Sequence, residues 1–155
     1  MTPTPTILRT CLLALCLVAA TGCIIDGGGG GETEQDRLDN ALTQWNEAAI
    51  SDYVYTYRKL CFCAEEDNHT MTLEVNRGVV VRAFDEVDRL TRDPRNFDSV
   101  NDLFDLIQNL IDQQPDELTI TYDPDLGYPT YISFDVYNTA DEELTIETSD
   151  LVALE

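Results

Sequence analysis

Basic side chains are scarce in this chain: nine Lys and Arg and a single histidine stand against thirty Asp and Glu, for a formal charge of -21. A surface of that sign repels phosphate backbones, so nucleic acid is excluded as a ligand. It also repels anionic lipid headgroups, so no basic patch holds the protein on a membrane. The one imidazole limits nucleophilic chemistry, which needs a nucleophile, a base and a group to orient it. His69 lies between Asp67, Asn68 and Thr70 and reads as an exposed turn histidine. A long apolar run is missing too. The stretch "CLLALCLVAA", Cys11 to Ala20, is half of the roughly 20 residues that cross a bilayer. No Walker-type loop occurs, and the five glycines Gly27 to Gly31 follow no strand, so they make no dinucleotide fingerprint.

What the N-terminus does contain is ordered. A polar start with Arg9 precedes the apolar stretch, and Thr21, Gly22 and Cys23 close it. That order reads as a secretory signal over residues 1–22. "ATGC", Ala20 to Cys23, resembles the lipobox of bacterial lipoproteins. The resemblance implies that Cys23 is the first mature residue and carries a diacylglyceryl thioether, with a further acyl chain such as palmitate. The alternative is an ordinary secretory signal with Cys23 a free thiol. One acyl chain binds membranes only marginally without a second signal, so with no basic patch the anchor is the multiply acylated cysteine alone. Residues 23–35 then form the lipidated cysteine and its glycine-rich tether. A flexible tether of about 11 residues spans roughly 18 Å. The protein is thus expected on the extracytoplasmic side of a bacterial membrane, in the cell envelope.

Of five cysteines, Cys11 and Cys16 leave with the signal and Cys23 is acylated. Cys61 and Cys63 remain, in "KLCFCAEE". Exported proteins meet oxidising conditions, which favours a disulfide. Residues two apart in a strand lie about 6.7 Å apart, at the limit of what a disulfide bridges. A Cys61–Cys63 bridge therefore needs a bend. Two reduced thiols, or a soft-metal or redox site that recruits His69, are the competing readings. A structural zinc site wants four ligands, and no fourth soft ligand is at hand.

Residues 36–155 read as one α+β domain. "DRLDNALTQWNEAAI" places Leu38, Leu42, Trp45 and Ala49 at helical spacing. "DYVYTYRKLCFC" alternates, with Tyr53, Tyr55 and Tyr57 on one face. "TMTLEV" and "VVVRAF" form a hairpin around "NRG". A polar connector follows. Ser99 then caps a second helix with Asp102 three residues on, and Pro115 ends it. "ELTITYD", "PTYISFDV" and "ELTIETS" finish the chain. The order α-β-β-β-α-β-β-β predicts one antiparallel sheet of about six strands with two helices on one face and solvent on the other. The two hairpins can be laid on one another, either as an internal duplication or as two similar hairpins.

"YTYRKLCFC", "NRGVVV", "VNDLFDLI" and "ITYDPDLGYPTYISFD" followed by "DEELTI" resemble the bacterial domain-of-unknown-function family 6174. The resemblance covers about Asp36 to Leu151. It implies a short secreted protein or lipoprotein and brings no activity, substrate or site.

No cofactor is expected. Asp123 and Asp125 in "YDPDLG", with Asp135 beyond, fall short of the six to eight oxygens calcium takes, and the segment reads as a turn with Gly127 in a left-handed position. On "PTYISFDV", Ile132, Phe134 and Val136 read as core. Tyr131 and Tyr137 then face solvent with Thr119, Thr121, Thr145 and Glu147, a polar face fit for a peptide, a glycan or a cationic partner. The expectation is a non-catalytic binding or scaffolding lipoprotein with an unnamed envelope partner. A thiol or metal module on Cys61 and Cys63, and an inhibitor of an extracellular enzyme, are the alternatives.

Overall fold

The computed structural model describes residues 31–135 and 144–154. The predicted leader, Cys23, most of the tether, Val136 and Tyr137 lie outside the described residues.

Helix α1 spans Glu34–Ala48. It begins before Asp36, because Thr33 is its N-cap and Asp36 closes a capping box with it. Its buried face is Leu38, Ala41 and Trp45. Helix α2 spans Val100–Gln113 and carries the predicted Ser99–Asp102 capping box. Val100, Leu103, Phe104, Ile107 and Leu110 are its buried stripe.

The strands are β1 Tyr53–Leu60, β2 Thr70–Asn76, β3 Val79–Asp85, β4 Leu90–Arg92, β5 Glu117–Tyr122, β6 Pro129–Asp135 and β7 Leu144–Ala153. They form one seven-stranded antiparallel sheet in the order β4-β3-β2-β1-β7-β6-β5. The fold is α+β as the pattern predicted, with one strand more. The extra strand, β4, is the three residues Leu90, Thr91 and Arg92 inside the expected polar connector. That is too short to show a period. It forms because the Asp85 carboxylate accepts from the N–H groups of Val87 and Asp88, which turns the chain back onto β3.

Register puts Tyr53, Tyr55 and Tyr57 beside Val75, Leu73 and Met71, and Ile146 beside Ile132 and so Ile120. These side chains and the buried stripes of both helices make one core. Each fully buried large apolar side chain contributes roughly 1.5–3 kcal/mol. Both helices therefore cover the same sheet face. The meanders β2-β3-β4 and β5-β6-β7 step across the sheet in the same direction with the same strand sense. That suits laying hairpin on hairpin. It does not suit a repeat of helix plus three strands, because β1 intervenes in the first half only.

The two hairpins close differently. Between β2 and β3, Arg77 (φ 49°) and Gly78 (φ 76°) are both left-handed, which matches the twist of a two-residue hairpin. Between β5 and β6, Asp123 accepts from the N–H groups of Asp125 and Leu126, and Gly127 takes φ 78°. Gly127 also lies against α1: a methyl group there would stand 2.4 Å from the Ala41 carbonyl oxygen and 3.2 Å from the Trp45 nitrogen. Gly127→Ala is therefore expected to cost about 3 kcal/mol, the sum of a left-handed alanine and an overpacked contact with helix backbone. Urea unfolding measures it. A loss under 1 kcal/mol would mean that the turn does not pack on α1 as described.

The free edge of the sheet at β5 is guarded. Arg37 of α1 donates to the Ile120 carbonyl at 2.6 Å and lies 6.0 Å from the Tyr122 ring centroid. A charged side chain taking up an edge carbonyl hinders pairing with another chain.

Candidate functional site

The alternation of β1 sends three tyrosines into the core, each under 3% exposed. Their rings run in a line from Trp45 through Tyr53, Tyr55 and Tyr57 to Phe97, with centroid spacings of 5.6, 5.5, 6.4 and 5.9 Å. Phenol oxygens end the line at the start of α2. Val100 N–H donates to Tyr53 Oη (2.8 Å), Tyr55 Oη donates to the Asp98 carbonyl, and Tyr57 Oη donates to the Asp98 carboxylate (3.1 Å). Burial pushes Tyr53 up to about 12 and raises Tyr57 further. Burial also raises Asp98, against the Tyr57 hydrogen bond that lowers it.

Where β1 ends, the chain bends, and Cys61 and Cys63 form a disulfide with a Cα separation of 5.2 Å. The bend shortens the distance that a straight strand would impose. Asn68 holds it: its Oδ1 accepts from the Cys61 N–H (2.8 Å), and its Nδ2 donates to Cys63 Sγ (3.8 Å). Phe62, between the two cysteines, is 85% exposed. Beside the disulfide lies a cleft of about 310 Å³, floored by Tyr57 and Phe97 and lined by Lys59, Cys61, Cys63 and Asn96. The Lys59 side chain makes no hydrogen bond or ion pair among the described residues, and its charge acts to lower Asp98. A bridge across three residues constrains the unfolded chain little: loop entropy gives about 1.5 kcal/mol, against about 3 for a fifteen-residue loop.

Next to this cleft, and sharing Glu66 and Arg92 with it, is a second hollow that contains His69. His69 is not the exposed turn residue its neighbours imply. It is 14% exposed, and its Nδ1 lies 3.0 Å from Asp85 Oδ2. Asp85, fully buried, also takes Arg92 Nε (3.0 Å) and Nη2 (2.7 Å), and Arg92 reaches Asp88 at 2.8 Å. Burial alone would raise Asp85. The hydrogen bonds from the Asp88 N–H, His69, Arg92 and the Val87 N–H outweigh it and hold the carboxyl far below its ordinary range. An ionised carboxylate only accepts, so His69 Nδ1 donates.

His69, Asp85 and Asp88 are close enough to hold a metal ion. The donor set does not fit one: the Arg92 guanidinium already occupies the facing oxygens of both carboxylates, Asp85 Oδ2 and Asp88 Oδ2. The soft-metal reading fares no better, since both sulfurs are in the disulfide and this cluster includes neither. In the calcium reading, the Asp123 carboxylate is engaged by its own turn.

The sheet face opposite the helices carries Thr119 and Thr121 on β5, Tyr131 and Ser133 on β6, and Thr145 and Glu147 on β7, in register across the three strands. Thr119 and Thr121 are exposed and Tyr131 is half-buried. Thr145 is 8% exposed, with its hydroxyl on Ser133. Arg58 and Arg82 stand on the other half of the same face, paired through register with Glu147 and Glu74. A signal in the chain anticipates this asymmetry: no Lys, Arg or His follows Arg95. The whole α2–β5–β6–β7 half is thus without a cation.

A family model described as a family of unknown function (DUF6174) matches residues 37–153. Neither the curated proteins nor the solved structures contain a match to the chain.

Proposed function

The chain belongs to the DUF6174 family, a family of unknown function, and from that premise we propose that it is a non-catalytic, lipid-anchored binding domain of the bacterial cell envelope. Cys23 carries the lipid, and the glycine-rich tether holds the domain clear of the membrane. The observation that carries the binding role is the sheet face left open by both helices. Its β5–β6–β7 half presents Thr119, Thr121 and Tyr131 and has no cation. Charge complementarity assigns it a cationic protein segment as partner. Tyrosine and threonine on a rigid sheet supply contact area and hydrogen bonds at small entropic cost.

Affinity capture from detergent-solubilised envelopes, with the acylated protein as bait, tests this. The wild type is expected to enrich a basic protein that salt elutes. The Thr119→Lys, Thr121→Lys double variant places two cations on the patch and is expected to retain about tenfold less. Equal capture by both baits would dismiss this face as the binding surface. If the enriched protein is a basic extracellular enzyme whose activity falls on binding, the domain is its inhibitor.

A further inference from the structure

We propose that the Cys61–Cys63 disulfide is an exchange site that accepts electrons from a dithiol protein outside the cytoplasm. This goes beyond the binding role and shares with it only the extracytoplasmic placement. Four features meet at this corner. The bridge closes so short a loop that it constrains the unfolded chain little, so its value as a staple is small. Cys63 is exposed, which gives an incoming thiolate access. Phe62, the residue between the two cysteines, is 85% exposed and offers apolar contact to a partner chain. The adjoining cleft over Tyr57 and Phe97 has room for a segment of that partner.

The chemistry balances in two steps. A thiolate of the partner attacks Cys63 Sγ. The Cys61–Cys63 bond breaks, a mixed disulfide forms, and Cys61 leaves as a thiolate into the cleft that Lys59 lines. Lys59 and Arg92 are the cations of that lining, beside Glu66, Asp67 and Asp93, and an adjacent ammonium favours a thiolate. The partner's second thiolate then attacks the partner sulfur of the mixed disulfide. The partner closes its own disulfide, and Cys63 leaves as a thiolate with the Asn68 Nδ2–H donating to it. Two electrons pass from the partner to this chain, and each released thiolate takes a proton from solvent.

The test uses the purified, oxidised protein without denaturant, so its result does not depend on where the protein resides. Reduced glutathione and reduced dithiothreitol are the probes. Alkylation traps the products and mass spectrometry locates them. Dithiothreitol is expected to open the bridge in the folded protein. Glutathione is expected to sit on Cys63 at least about tenfold more than on Cys61. Lys59→Met is expected to slow opening about tenfold, and Asn68→Ala to prolong the glutathione adduct, with the Lys59→Met thermal midpoint unchanged. A bridge that opens only in denaturant, or an adduct shared equally between the two cysteines, would overturn the proposal.

Discussion

Truncating Tyr55 to alanine is expected to lower the unfolding free energy by about 3–5 kcal/mol, in the range for removing a buried aromatic ring. Tyr55 is 1% exposed and stands in the middle of the aromatic line, 5.5 Å from Tyr53 and 6.4 Å from Tyr57. Its hydroxyl donates to the Asp98 carbonyl, just before the cap of α2. Tyr55→Phe keeps the ring and leaves that carbonyl without this donor, for a smaller loss of about 1–2 kcal/mol. Urea unfolding of both variants separates packing from hydrogen bonding. Losses of equal size would mean that the ring contributes nothing beyond its hydroxyl. The same line sets an alkaline limit. A tyrosine raised in the folded state stabilises fully below its unfolded pKa of about 10, and that stability drains as pH climbs toward about 12, to which burial pushes Tyr53. Tyrosinate absorbance followed together with unfolding measures this window.

Asp85→Ala is the second large effect, at about 3 kcal/mol. It leaves Arg92 with Asp88 alone, removes the partner of His69 Nδ1, and frees the N–H groups of Val87 and Asp88 that hold the β3–β4 turn. The pH signature follows from the sign. Asp85 is depressed in the folded state, so its contribution is complete above the unfolded carboxylate value of about 4 and is lost as pH falls below that. Thermal unfolding from about pH 6 to pH 2 is expected to show a steep acid loss in the wild type and a shallower one in Asp85→Asn. Parallel curves would remove Asp85 from the acid-labile set.

Much of the fold was legible because its signals are local. The tyrosine alternation of β1, the Ser99–Asp102 cap and the "NRG" turn each lie within a few residues, and each stands where the pattern placed it. Long-range contacts and short elements were not legible. β4 is three residues long, and the contact that turned His69 inward comes from Asp85, sixteen residues away on the next strand but one. The bend that brings Cys61 and Cys63 to 5.2 Å depends on Asn68, across a turn that itself reads only as polar. For the open face, strand alternation placed Thr119, Thr121 and Tyr131 together, and the sequence already shows that no cation follows Arg95. That β5, β6 and β7 gather into one half of the sheet shows only in the strand order.

Both functional proposals place the domain outside the cytoplasm, and the binding role also holds it there on a lipid tether. Intact mass spectrometry of protein extracted from native membranes measures this directly. The account predicts a chain that begins at Cys23 and is heavier than its sequence by a diacylglyceryl group and an acyl chain. A chain that begins at Cys23 without added mass, or one that still carries residues 1–22, would contradict it.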